Sequence, residues 1–177
     1  MKKCALVIGH KKTSPGASNS ESGLTEFAFN EALAIDIENQ VGNVEVQRVY
    51  RRTYASLPSD INQLNPDFIV SLHCNAFNTS ASGTEVLFYH RSATGRLIAQ
   101  ILQEHLVQAL ALNDRGIKPM TTEDRGGNLL KNTSAPCVIA EPFFIDNNDD
   151  LKIALDNRSK LVNAYAEAIQ AMAQAIP

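Results

Sequence analysis

The stretch "FIVSLHCNA" (residues 68–76) decides the fold, because a strand that is covered on both faces ends inside it. Its apolar residues continue through Leu72 directly into His73, and no turn residue separates the two. Continuous apolar runs of this kind are typical of strands in parallel sheets that carry helices on both faces. A histidine at the end of such a strand is either a metal ligand or a hydrogen-bonded residue at the sheet edge. The stretch alone leaves both interpretations open.

Two other apolar runs also end on polar, chemically versatile side chains. The run "CALVIG" (4–9) leads into His10, and the short run "CVIA" (137–140) leads into Glu141. The carboxyl ends of parallel strands lie at one edge of a sheet, where α/β proteins form their sites. If the three strands are parallel, His10, His73 and Glu141 meet there.

The remaining pattern predicts alternating strands and helices. Two more strands are expected at 44–50 and 84–90. Hydrophobic periodicity predicts helices at 24–39, 92–112 and 150–175, and a short helix within 51–66. The polar residues 113–128 predict a loop. This alternation indicates an α/β fold with a mostly parallel, two-sided sheet.

The composition indicates an ordinary globular chain. It has 177 residues, of which 44% are hydrophobic and 20% charged, and its net charge is −3. These values predict one domain over residues 1–177, which we expect to be a monomer. No basic block occurs, which argues against a nucleic-acid partner, and no segment is long enough for membrane insertion.

The cysteines and the first residues bear on the compartment. Cys4, Cys74 and Cys137 are widely spaced, form no CxxC pattern and indicate a reducing environment. The run in "MKKCALVIGH" (1–10) is too short for a signal peptide and is interpreted as the first strand. The sequence therefore predicts synthesis in the cytoplasm without a signal peptide.

Two imidazoles and a carboxylate at one sheet edge favour zinc, which binds neutral nitrogen and hard oxygen ligands. A catalytic zinc usually has three protein ligands. Glu26 is the third candidate, because it shares the inward face of helix 24–39 with Leu33 and Ile37. A buried carboxylate is costly unless it is paired or binds a metal. The alternative is that Glu26 only complements the helix dipole. Glu141 likewise has a purely structural alternative.

Other polar residues near these positions have weaker claims. Asn75 is expected to brace the His73 loop, and Cys74 to pack into the core. His90 is an alternative ligand if strand 84–90 runs parallel, and His105 fits a boundary position on its helix. The cations of the 113–128 loop are expected to be solvated, with contact to peptide carboxylates as the alternative; they are Arg115, Lys118 and Arg125.

Five ordered blocks resemble the zinc-dependent N-acetylmuramoyl-L-alanine amidases of the Amidase_3 family. They are "VIGHKKTSPGA", "GLTE", "SLHCNA", "SGTEVLFY" and "PCVIAEPFFIDN". The resemblance implies a twisted, mostly parallel six-stranded sheet flanked by helices on both faces. It also implies Zn²⁺ bound by His10, Glu26 and His73, with Glu141 as the catalytic carboxylate. The implied reaction cleaves the amide between N-acetylmuramic acid and L-alanine of peptidoglycan.

The blocks depart from the family pattern in two places, both expected at the rim of the site. Lys11 and Lys12 replace two glycines, and Pro142 and Phe143 stand where a glycine is common. We expect a bare catalytic domain without a wall-binding domain, as in a phage endolysin, that acts on the cell wall after release or delivery. Two alternatives stay open: a zinc carboxypeptidase or other metallopeptidase on wall peptides, and a non-catalytic wall-binding module.

Overall fold

The computed structural model describes residues 1–177. Six strands and six helices follow one another along the chain. In order they are β1 (Lys2–Ile8), α1 (Glu26–Gln40), β2 (Val44–Tyr50), α2 (Leu57–Asn62), β3 (Phe68–Leu72), β4 (Thr84–Tyr89), α3 (Ala93–Leu110), β5 (Asp114–Met120), α4 (Gly127–Asn132), β6 (Cys137–Glu141), α5 (Asn148–Asp156) and α6 (Arg158–Ala175).

All six strands form one sheet in the order β2-β1-β3-β6-β4-β5. The neighbours β1, β3 and β6 run parallel, so their carboxyl ends meet at one edge, here called the site edge. β4 pairs with β6 antiparallel, and every other pair is parallel. The predicted α/β fold with a mostly parallel, six-stranded sheet is confirmed.

The direction of β4 determines which of its two ends lies at the site edge. Because β4 is antiparallel to β6, its first residues lie at the site edge, and Glu85 stands directly opposite Glu141. Its last residues lie at the other edge of the sheet, where the His90 N–H donates to the Met120 carbonyl. The condition under which His90 would be an alternative ligand, a β4 parallel to the central strands, is therefore not met.

The predicted loop at 113–128 is wrong over much of its length. Residues Asp114–Met120 form β5, the outermost strand beside β4, and α4 begins at Gly127. An edge strand pairs with a neighbouring strand on one side only. The sequence of β5, "DRGIKPM", has few apolar residues and contains a proline, which edge strands tolerate. No buried-strand pattern could therefore mark it.

Helices cover both faces of the sheet, as predicted. The larger core of 34 buried residues joins one face to α1, α3 and α6, and the smaller core of 11 joins the other face to α2 and α4. The last predicted helix is two helices, since the backbone leaves the helical region at Asn157. None of the helices combines the length and apolarity needed to cross a bilayer.

Candidate metal centre

His10 follows β1 in a left-handed conformation with φ 65°, which turns the chain sharply at the site edge. Gly16, on the next loop, packs against its ring. A Cβ added to Gly16 would lie 2.6 Å from Cδ2 of His10. The loop therefore needs a glycine there to let the imidazole take its place.

Glu26 is the first residue of α1, whose N-cap is Thr25. Its side chain turns inward and is only 5% exposed. The backbone N–H of Ala17 donates to Oε1 at 3.1 Å, and that of Cys74 donates to Oε2 at 3.1 Å. Two loops thus fix both carboxylate oxygens.

Three donor atoms converge on one point at the site edge. Oε2 of Glu26 lies 3.3 Å from Nε2 of His10 and 3.3 Å from Nδ1 of His73. The two imidazole rings meet edge to face, with centroids 5.0 Å apart. We call these three residues the metal triad, and its donor atoms lie within 4.8 Å of one another.

The donor set fits a divalent metal ion. Ligands at 2.0–2.1 Å from a tetrahedral zinc lie about 3.4 Å apart, close to the two distances around Oε2. Burial would raise the pKa of Glu26, but its contacts with His10 and His73 outweigh burial and hold that pKa well below the usual range. The Glu26 side chain is therefore an anionic carboxylate at neutral pH.

Glu141 ends β6 beside the triad and is 6% exposed. One guanidinium nitrogen of Arg125 donates to both carboxylate oxygens, at 2.5 Å to Oε2. Burial, opposed by Arg125 and reinforced by the Glu85 carboxylate, raises the pKa of Glu141 to about 7. A carboxyl group with such a pKa can both accept and return a proton near neutrality.

Glu85 is the residue that the sequence analysis missed. It is 2% exposed and accepts hydrogen bonds from Arg125 at 2.6 Å, Asn75 at 2.8 Å and Arg115 at 2.9 Å. Burial would raise its pKa, but the two arginines lower it below the usual range. The available signal was a carboxylate near the start of the predicted strand "TEVLFYH" (84–90), directly before the apolar run "VLFY".

The prediction that Arg115 and Arg125 are solvated loop charges is wrong, because both bind buried carboxylates. We call Glu85, Arg115, Arg125 and Glu141 the arginine–glutamate cluster. It contains two carboxylates and two guanidiniums, which balance in charge when all are ionised. Its guanidinium groups donate to the carboxylate oxygens of both glutamates, which leaves this cluster poorly suited to binding a cation.

The structure confirms the packing roles assigned to three residues. Asn75 braces the loop: its N–H donates to the Phe143 carbonyl, and its own carbonyl accepts from Ile145. Cys74 is buried and lies 3.7 Å from Nδ2 of Asn30. The partly buried His105 donates from Nδ1 to a carbonyl of its own helix at 2.8 Å.

One cavity of about 670 Å³ joins the metal triad to the arginine–glutamate cluster. The exposed aromatic rings of Tyr54 and Phe77 line its wall. The expectation that Phe143 touches the rim is wrong, since its ring is fully buried and packs on Phe29 with centroids 5.0 Å apart.

The chain matches a family model over most of its length and two uncharacterized proteins over about half of it. Residues 4–171 match the family model Amidase_3, described as N-acetylmuramoyl-L-alanine amidase. An uncharacterized cell wall amidase of Bacillus anthracis is 38% identical over 97 residues, 49% of this chain and 17% of that protein. The uncharacterized protein YqiI of Bacillus subtilis is 35% identical over 86 residues, 48% of this chain and 39% of that protein.

Solved structures share the whole fold at low sequence identity. The catalytic domain of the amidase CwlV from Bacillus (Paenibacillus) polymyxa has a TM-score of 0.84 at 22% identity, covering 98% of this chain and 99% of that one. The catalytic domain of the CD27L endolysin, which targets Clostridia difficile, has a TM-score of 0.81 at 22% identity, covering 97% and 98%. The chain belongs to the Amidase_3 family of N-acetylmuramoyl-L-alanine amidases.

Proposed function

We propose that this protein hydrolyses the amide bond between the lactyl group of N-acetylmuramic acid and L-alanine in peptidoglycan. His10, Glu26 and His73 would hold Zn²⁺, and Glu141 would be the catalytic base. One observation carries the proposal: the metal triad and a buried carboxylate face one cavity in a chain of this family. Residues 1–177 would act as one catalytic domain on the cell wall, in lysis or remodelling.

The metal triad offers two neutral nitrogens and one carboxylate, which leaves a fourth tetrahedral position open, as catalytic zinc sites do. When bound, Zn²⁺ supplies Lewis-acid chemistry, polarising a carbonyl and lowering the pKa of water from 15.7 to about 7. The backbone N–H groups of Ala17 and Cys74 hold the Glu26 carboxylate in place for this task.

Glu141 would remove the proton of the attacking water and deliver it to the nitrogen of the leaving L-alanine. In the metal-free protein burial raises its pKa to about 7, which brings the group toward the range where it can both accept and return a proton. Glu85 keeps its negative charge, so the two opposed carboxylates have pKa values pushed apart. This separation favours Glu141 over Glu85 as the proton carrier.

Mass spectrometry of a muropeptide digest, with and without a chelator, tests the proposal. We expect lactyl-bearing glycan together with intact stem peptide, loss of both with chelator, and recovery with added zinc. Cleavage between residues of the stem peptide would instead indicate a metallopeptidase. Cleavage that survives the chelator would contradict the zinc mechanism.

A binding assay separates the enzyme from a wall-binding module. Glu141→Ala should still sediment with purified sacculi while releasing no stem peptide. A wild-type protein that sediments with sacculi and releases nothing when loaded with zinc would support the non-catalytic alternative.

A further inference from the structure

Two buried carboxylates face each other across a pair of neighbouring strands. Glu85 on β4 and Glu141 on β6 occupy directly opposite positions of the antiparallel ladder. Such pairs project from the same face of the sheet, and like charges at these positions repel. With 2% and 6% exposure, both side chains are largely shielded from solvent, so that repulsion is poorly screened.

A single guanidinium bridges the pair. Arg125 donates from one terminal nitrogen to both oxygens of Glu141 and from the other to Oε1 of Glu85 at 2.6 Å. Glu85 has two further donors, Asn75 and Arg115, whereas the carboxylate of Glu141 has Arg125 alone. The orientation of the Glu141 carboxylate therefore depends on this one side chain.

The segment around Arg125 forms a tight turn that fixes the position of this side chain. Gly126 has φ 74°, and a Cβ there would lie 2.4 Å from Cδ1 of Ile139 on β6. One residue before Arg125, the Asp124 carboxylate accepts the N–H of Thr121 at 2.7 Å and closes the loop. The stretch "EDRGG" (123–127) thus turns tightly against β6 and carries Arg125 over the end of that strand.

We propose that Arg125 is a positioning residue, which aims the Glu141 carboxylate into the cavity by tying it to the anchored carboxylate of Glu85. A planar fork with several donors suits this task, because it can hold two carboxylates at a fixed angle. The proposal rests on the proposed function, in which Glu141 moves the proton. Arg125 itself takes no part in that transfer.

Kinetics on a soluble muropeptide test the role. Arg125→Ala should lower kcat about 100-fold, the size expected when a catalytic group is displaced by about 1 Å, with KM and zinc content unchanged. Arg125→Lys should recover part of that loss, since one ammonium reaches a carboxylate but cannot bridge two at a fixed angle. Arg158→Ala is the matched control, because its ion pair with Asp36 lies outside the cavity.

Two kinetic outcomes would overturn the proposal. An unchanged kcat in a folded Arg125→Ala protein would show that Glu141 is held without it. A raised KM at unchanged kcat would make Arg125 a substrate contact. If the alanine variant does not fold, the same readings on Arg125→Lys decide.

A measurement without turnover separates this inference from the proposed function. In zinc-free protein, ¹³C NMR of the Glu141 carboxyl, assigned with Glu141→Gln, should show titration at higher pH in Arg125→Ala than in wild type. An unchanged titration would overturn the positioning role. If Arg125→Ala shows the expected shift but the wild-type protein cleaves no muropeptide, only the proposed function is contradicted.

Discussion

The metal triad and the arginine–glutamate cluster lie at the same sheet edge and line the same cavity, yet they differ in how their charges are balanced. In the triad, one buried carboxylate lies beside two imidazole rings and no guanidinium or ammonium group. In the cluster, two guanidiniums neutralise two carboxylates.

This difference in charge balance suits the metal triad to binding a cation and the arginine–glutamate cluster to holding a carboxylate that moves a proton. Nitrogen donors beside one carboxylate suit a divalent cation, whereas carboxylates already paired with arginines do not need one. Under the proposed function, the arginines would therefore allow Glu141 to lie beside the metal ion without binding it. The following experiments alter one region at a time, and the expected effects decrease from first to last.

His73→Ala removes a donor of the triad and leaves the cluster intact. We expect zinc content to fall to trace levels and turnover to fall about 10⁴-fold or more, because the metal supplies several kcal/mol of transition-state stabilisation. Metal analysis and muropeptide kinetics on the same preparation check this. Stoichiometric zinc together with wild-type turnover in this variant would show that His73 is not a zinc ligand.

Glu141→Gln makes the complementary change, in the cluster only. Turnover should fall about 10²- to 10⁴-fold, the usual contribution of a general acid–base group, while zinc content stays at the wild-type level. The combination of bound zinc and lost turnover distinguishes Glu141 from a ligand. Loss of zinc in this variant would mean that the two regions are not separate.

The pKa of Glu141 predicts a pH effect of moderate size. In zinc-free protein its carboxyl should titrate near pH 7, measured by ¹³C NMR, because burial disfavours its charged form. A cation in the triad should lower that value. Since only the carboxylate can act as the base, turnover should fall about tenfold per pH unit below the pKa of the loaded enzyme. A rate that rises on acidification would contradict this assignment.

Gly16→Ala should have the smallest effect of these changes, and of the two regions it should disturb only the metal triad. The new Cβ would lie 2.6 Å from Cδ2 of His10, at a φ of 81° that alanine adopts with strain. We expect zinc to bind about tenfold more weakly, which is the usual effect of changing a residue that orients a metal ligand. The free energy of unfolding should fall by about 1–2 kcal/mol. Gly23→Ala is the matched control, because Gly23 also has positive φ (71°) but no atom within 4 Å of its Cβ position. Equal zinc affinity in both variants would contradict the role of Gly16.

The sequence predicted the triad because each member carries a local signal. His10 and His73 end apolar runs, and Glu26 lies on the inward stripe of a helix. The structure brings the three together because β1 and β3 are parallel neighbours and α1 follows β1. Their assignment as zinc ligands stays a proposal.

The cluster could not be predicted in the same way. Arg115 lies on an edge strand whose composition resembles a loop, and Arg125 follows it in a polar stretch. Their carboxylate partner Glu85 stands 30 and 40 positions away along the chain. No short-range pattern records a pairing across that separation.

The sequence by itself determined the alternation of elements, the apolar runs that become central strands, and the polar residues at their ends. These features follow from hydrophobic burial and backbone periodicity, which act over a few residues. The tertiary structure alone decided the direction of β4, which placed Glu85 opposite Glu141 and carried His90 to the far edge. An apolar strand buries the same side chains in either direction, so only its packing with neighbouring strands settles which of its ends reaches the site.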